Sequence, residues 1–284
     1  MSFLSSLMNA LPGAVAQGLA WGIMAIGVYI TFRILDVADL TVDGSLATGG
    51  AVCVMLIRAG VNPWLAMLCA LVSGMLAGLV TGLFHTRCGI PAILAGILTQ
   101  LALYSINLRI MGGKANQAVS VDKYHLLLSQ RYVRELSLDN PLPLLVVLTA
   151  VIVAALYWFF GTEKGSSVRA TGANHHMARA QGINTSANIV LGLMLSNGLV
   201  ALSGALLAQY QGSSDINMGR GAIVYYIVLQ IVLQIGLNTN DLKLITALIV
   251  ALIVALFLTL SYLNLKKTRR KPRRAAKEGV KQHA

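Results

Sequence analysis

Six stretches of this chain, at roughly 14–35, 63–84, 91–111, 143–160, 186–210 and 242–264, are long, apolar and almost free of charge. About 20 such residues carry an α-helix across the hydrocarbon core of a bilayer. Two shorter apolar pieces lie at 44–58 and 221–237. Only 11% of the residues are charged and the mean hydropathy is +0.72, whereas a soluble domain carries about 25% charged residues. Such a chain cannot cover a water-facing surface, so lipid is its solvent. In lipid every backbone polar group needs an internal partner, which leaves helices as the form of these runs. The expected fold class is an all-α polytopic membrane protein, with six full spans and two re-entrant or short broken helices.

Charge orients the spans. The segment 266–284 holds nine Lys and Arg and one Glu, +8 of the formal +12. The positive-inside rule places it in the cytoplasm. With both short pieces entering and returning on one side, the inside segments are the N-terminus, 85–90, 161–185 and the tail. They carry 13 basic and 2 acidic residues, against 9 basic and 8 acidic elsewhere. The domain division is then a transmembrane unit over 1–264, with an inside loop at 161–185 and an outside loop at 112–140, followed by a basic tail over 265–284. The tail has no aromatic residue to stack on bases, so anionic lipid rather than nucleic acid is its expected neighbour. The N-terminus has no Lys or Arg, unlike a cleaved signal peptide, and the first span is expected to be retained.

Two segments interrupt the apolar pattern. The first, DVADLTVDGSLATGG, sets Asp36, Asp39 and Asp43 in a stretch too costly to expose to hydrocarbon. Broken backbone at membrane depth persists only where protein or a water-filled cavity surrounds it. Asp39, Thr41, Asp43 and Ser45 therefore become candidates for lining or capping a pathway, as do Asp215 and Asn217 in the second segment. Each Asp taken singly also suits a helix N-cap. The two segments follow Gly-rich spans (Gly18, Gly22 and Gly27; Gly192, Gly198 and Gly204), and Asp39 and Asp215 stand 176 residues apart. This order suggests a weak internal repeat, parallel in sense if both copies start inside. Among polar residues in spans, Thr99, Gln100, Asn107, Asn197, Gln209 and Gln211 are expected mainly to bond neighbouring helices. Tyr226, Gln230 and Gln234 form a stripe that faces a dimer seam or a pore.

Between the fourth and fifth long runs lies VRATGANHHMARAQGIN, residues 168–184, polar, basic and punctuated by glycine. Its Arg-Ala-x-Gly-x-Asn and Met-Ala-Arg-Ala-x-Gly-Ile elements resemble the cytoplasmic coupling loop of ABC importer permeases, those for branched-chain amino acids and simple sugars above all. The segment 36–51 and the run CGIPAILAG from Cys88 are similar to further parts of the same family. The resemblance implies short helices seated in a cleft on a separate ATPase. Arg169 and Arg179 would meet acidic grooves there. Gly172 and Gly182 would permit turns, and Asn174 would cap a helix. Met177, Ala178 and Ile183 would press on the partner. It also implies an extracytoplasmic solute-binding protein on the 112–140 side, ATP and Mg held only by the partner ATPase, and a place in the bacterial cytoplasmic membrane; the two coupling loops that two ATPases need make a homodimer the expected assembly, with a heterodimer of paralogous permeases, which the family also has, as the alternative.

Enzyme signatures fail: no phosphate loop and no HExxH motif occurs. Adjacent His175 and His176 lack ligand partners at metal spacing. Cys53, Cys69 and Cys88 are scattered and suit small apolar packing. The expected function is the membrane subunit of an ATP-driven importer working by alternating access. Amino acids lead as solute on the resemblance, with sugars and nucleosides behind. An ion-coupled carrier would need a carboxylate or His deep in a span.

Overall fold

The computed structural model describes residues 3–120, 124, 126–129 and 142–218. The spans expected at 242–264, the short piece at 221–237, the tail, and Tyr226, Gln230 and Gln234 lie outside the described residues.

Eight helices and one small β-ribbon make up the described part. Helix α1 (Phe3–Tyr29) runs into a π-helical turn over Ile30–Ile34. Then come α2 (Val42–Arg58), α3 (Pro63–Thr86), α4 (Ala92–Ile110) and α5 (Leu142–Gly161). Two short helices follow, α6 (Glu163–Ala173) and α7 (His175–Ala180), and α8 (Thr185–Gln211) closes the series. Five of these are long and apolar enough to cross a membrane: Pro12–Ile34, α3, α4, α5 and α8. Local chemistry sets the ends. Asn62 accepts a bond from Trp64 N–H at 3.0 Å and Pro63 opens α3, where its missing N–H costs nothing. Gly89, at φ 68°, turns the chain toward α4, which begins directly after Pro91.

Helix α8 is the axis of the fold. It is buried over most of its length, with α1, α2 and α3 packed around it. Small residues bring the backbones close. A side chain at Gly74 or Gly78 would strike the α8 backbone at Asn197 or Leu193, and one at Gly204 would strike Leu46 of α2. Hydroxyls add bonds between helices. Tyr210 donates to Gly13 C=O at 3.2 Å, Ser203 to Ala20 C=O at 2.7 Å and Ser196 to Gly27 C=O at 2.7 Å.

Those three bonds fix direction. Residues ascend along α1 as they descend along α8, so the two helices are antiparallel. Helix α2 runs parallel to α8, because Ser45 meets Asn197 and Cys53 meets Gln209. The fold thus has two ends. One carries α6, α7 and the 87–91 turn. The other carries the ribbon, β1 (Asn116–Ala118) antiparallel to β2 (Ser213–Asp215). The ribbon sits at the end of α2, where the Arg58 guanidinium bonds Gln117 and Gln117 donates to Met111 C=O at 2.7 Å.

Two expectations are corrected here. The piece at 44–58 does not return to its starting side. The chain breaks after the π-turn at Asp36, which adopts φ 56°, and α2 then runs to the ribbon end. The N-terminal end of α1 therefore shares the ribbon end and not the end of 161–185. Positive-inside reasoning missed this because the first 13 residues carry no charge to weigh. The Gly-rich spans of the two proposed repeat copies are α1 and α8, and these are antiparallel, so the parallel sense does not hold for them.

A cysteine test follows. With Cys53, Cys69 and Cys88 replaced, Lys114→Cys and Ser166→Cys, both at exposed positions, are expected to react with an impermeant maleimide from opposite sides of the membrane. A peptide tag joined to the N-terminus is expected on the side of residue 114. Finding the tag on the side of residue 166 would refute the antiparallel arrangement.

Candidate functional site

The island at 161–185 folds as a helical hairpin held by its own polar residues. Thr162 opens α6, its hydroxyl accepting from Gly165 N–H at 3.3 Å. Asn174 ends α6 through its N–H, which donates to Ala170 C=O at 3.2 Å, and its side chain caps α7 by accepting from Met177 N–H at 2.9 Å. Gly182, at φ 79°, closes α7. Its N–H donates to Arg179 C=O at 3.0 Å and Ile183 N–H to Ala178 C=O at 3.1 Å, the bonding of a glycine-terminated helix. Asn184 then caps α8 by accepting from Ala187 N–H at 3.1 Å.

One face of the hairpin is fixed to the bundle. Val168 packs with Leu35, Ile189 and Leu193. Asn188 of α8 donates to the Ser167 and Thr171 hydroxyls of α6 at 2.6 and 2.9 Å. The other face is open: Arg169, Asn174, His175, His176, Met177 and Arg179 are exposed, Met177 by 63%.

This placement corrects two roles. Asn174 and Gly182 act as expected, as a cap and a turn. Gly172 is no turn residue. It lies inside α6, against the Ile34 carbonyl, where any side chain would overlap backbone. Ala178 is buried against the chain itself and does not project outward; Ile183 is half-buried.

At mid-depth, Asp39, Thr41 and Ser45 are brought together in a knot whose hydroxyl residues are buried and whose carboxylate is half-buried. Asp39 accepts from Thr41 N–H at 2.8 Å through one carboxylate oxygen and from the Asn197 amide at 2.6 Å through the other. The Ser45 hydroxyl donates to Asn197 Oδ1 at 2.6 Å, and the Thr41 and Thr81 hydroxyls share a bond of 2.8 Å. Thr41 and Ser45 are fully buried. They were expected to line or cap a pathway. Asn197 follows Thr185 by 12 residues, so the knot lies about 18 Å along α8. Thr81 and Asn188 were not singled out in the sequence, although each is a polar residue in an apolar run, the signal that marked Asn197.

Asp215 and Asn217 lie apart from this knot, at the ribbon end. Asp215 faces Asn116 across the ribbon and accepts from Asn217 N–H at 2.8 Å. Asp43 lies between Thr41 and Ser45 in the first turn of α2, on a shallow cleft lined also by Gln100, Tyr104, Asn107 and Ile216. Asn107 is 1% exposed and neither of its amide atoms has a hydrogen-bond partner. A buried unpaired amide costs about 1–3 kcal/mol. No group of three His, Cys, Asp or Glu could hold a metal among the described residues.

The family described as "Branched-chain amino acid transport system / permease component" matches residues 11–270. The chain belongs to this family. As a permease it is a multi-pass membrane protein, of a kind that carries amino acids or sugars. It is 40% identical over 217 residues to a tyrosine transport system permease protein of Clostridioides difficile (strain R20291), covering 76% of this chain and 70% of that one. It is 25% identical to the ribose import permease protein RbsC of Escherichia coli (strain K12), covering 75% and 65%. It is 29% identical to the autoinducer 2 import system permease protein LsrC of Yersinia pestis (strain Pestoides F), covering 70% and 54%. No solved structure matches it.

Proposed function

We propose that this permease is the transmembrane subunit of an ATP-driven importer of an amino acid, coupled through the exposed face of α6 and α7 to a pair of separate ATPases. The observation that carries the reading is the two-faced hairpin. Its inner face is bonded to α8 and packed against the π-helical turn, while Arg169, Met177 and Arg179 are exposed on the outer face. A surface of that kind receives a push and passes it to the spans without doing bond chemistry itself. The 161–185 end then lies in the cytoplasm of a bacterial cell, with the basic tail on that side. The ribbon end meets a solute-binding protein. ATP and Mg belong to the partner chains.

The amino acid is preferred over a sugar because the tyrosine permease is 40% identical and the ribose permease 25%. A second copy of the chain supplies the second hairpin that two ATPases need, and closed two-fold pairing is the commonest way to obtain it.

The double variant Met177→Asp, Arg179→Glu tests the coupling surface, since both side chains are exposed and support no part of the fold. It is expected to lose copurification with the ATPase and to cut ATP-driven amino-acid uptake at least about tenfold, equivalent to about 1.4 kcal/mol. The purified permease is expected to keep its melting temperature. Unchanged complex formation and uptake would refute the proposal.

A further inference from the structure

The 87–91 turn, RCGIP, shares the hairpin's end of the fold, and the coupling role leaves it unused. Contacts along α3 place it. A side chain at Gly74 would meet Asn197, one at Gly78 Leu193 and one at Gly82 Val190. Numbers rise along α3 as they fall along α8, so the two helices are antiparallel, and the same pairing brings Thr86 level with Ser186. Beyond that level the 87–91 turn and the 182–184 junction of α7 with α8 leave the bundle side by side. Packed helices stand about 8–10 Å apart, so the two segments are neighbouring parts of one end surface. The turn is fixed by its own bonds. The Arg87 and Cys88 N–H groups both donate to Leu83 C=O, at 2.9 and 3.3 Å, and Ile90 N–H donates to Phe84 C=O at 3.2 Å. His85 donates from Nδ1 to Ile90 C=O at 2.9 Å, and Gly89 takes φ 68°. Arg87, Cys88 and Gly89 are thereby held exposed. Across 87–91 and 168–184 stand three Arg and no carboxylate.

We infer that the 87–91 turn is a second docking element for the partner ATPase, set beside the hairpin and fitted to an acidic patch on that protein. The inference rests on the coupling reading above and extends its surface from α7 across the 182–184 junction to Arg87. Arg179 stands in the last turn of α7 on one side of the junction, and Arg87 on the other. Like charges gathered on one exposed surface repel each other and gain from a partner that brings carboxylates. The planar fork of a guanidinium matches a carboxylate in geometry as well as in charge. A protein surface suits the turn better than a lipid headgroup does. Charge alone attracts anionic lipid, whereas a turn held in one exposed shape is ready for a complementary surface without further ordering. The turn also ends α3, which packs along α8. A load on Arg87 therefore reaches the same axial helix as a load on the hairpin. Two points of attachment fix the angle at which that load arrives, where a hairpin bound alone could pivot.

The exposed Cys88 thiol reports the contact. The full permease, with Cys53 and Cys69 replaced by alanine, is purified in uncharged detergent and treated with a hydrophilic maleimide. A second chain in the same background, carrying Cys88→Ser and His176→Cys, reports the hairpin. With the ATPase at about ten times its Kd, about a tenth of the permease stays unbound, so labelling at positions 88 and 176 is expected to fall about tenfold in each chain. Arg87→Glu is expected to raise the Kd about fivefold at low salt and by less at high salt, with an unchanged melting temperature. Protection at 176 with full labelling at 88 would overturn this inference and leave the coupling hairpin standing. An unchanged Kd in Arg87→Glu would overturn the acidic match in the same way. Full labelling at both positions would overturn the coupling reading and the second contact with it. Without the ATPase, protection at 88 in phosphatidylglycerol nanodiscs but not in phosphatidylcholine nanodiscs would assign the turn to anionic lipid and refute its assignment to a protein.

Discussion

Asn197→Leu is expected to destabilise the permease by about 2–4 kcal/mol and to free the start of α2. Asn197 bonds the Asp39 carboxylate, whose other partner is the Thr41 N–H, and the buried Ser45 hydroxyl. An ordinary hydrogen bond between membrane helices contributes about 0.6 kcal/mol, and about 1.7 at most. The expected value is larger because the variant leaves a carboxylate short of a partner, which costs more than a neutral group would. Asp39→Asn keeps an acceptor opposite Asn197 and removes the charge, so its loss is expected to be under about 1 kcal/mol. Reversible unfolding of the purified chain in mixed detergent reads both. A loss below about 0.5 kcal/mol for Asn197→Leu would show that the knot holds nothing together.

Under the proposed coupling, Gly172→Leu is expected to abolish uptake while leaving the partner ATPase bound. The side chain would enter space filled by the Ile34 and Leu35 backbone, and overpacking of this kind costs about 1–3 kcal/mol. Helix α6 can avoid the overlap only by lifting from the π-helical turn and giving up the packing of Val168 and the bonds from Asn188. The outward residues Arg169, Met177 and Arg179 remain available, so the complex forms. The stroke then has no firm contact to push against. Uptake is expected to fall at least about tenfold, the counterpart of about 1.4 kcal/mol, with the complex still isolated intact. Gly172→Ala is expected to lie between wild type and leucine. Wild-type uptake in the leucine variant would remove α6 from the transmission path.

Much of this arrangement could be read from residue types. The spans over 63–86, 92–110, 142–161 and 185–211 announce themselves by length and hydropathy, because lipid permits few other forms. The broken backbone around Asp39 was legible for the same reason, since carboxylates cannot face hydrocarbon. Its depth was not. A buried knot and an interfacial cap both use Asp followed by a small hydroxyl residue, and only the position of Asn197 separates them. Gly172 and Gly182 look alike in sequence, yet one is a turn at φ 79° and the other a close approach between backbones. The sense of α1 was hidden because the N-terminal residues carry no charge. The ribbon was hidden too: its strands, NQA and SSD, are three residues each and have no β-branched or aromatic residue to mark them.

The contrast between α8 and α5 bears on how such a permease tolerates its surroundings. In the most apolar window of α8, 78% of residues are buried, and in that of α5 only 6%. Whatever surrounds the chain, acyl tails or a neighbouring subunit, touches α5 and leaves α8 shielded. Helix α8 is also a continuous rod leading from the hairpin to the ribbon, about 40 Å long for its 27 residues. Changes in bilayer thickness, which helices meet by tilting, therefore fall on α5, while the span linking the two faces keeps its angle.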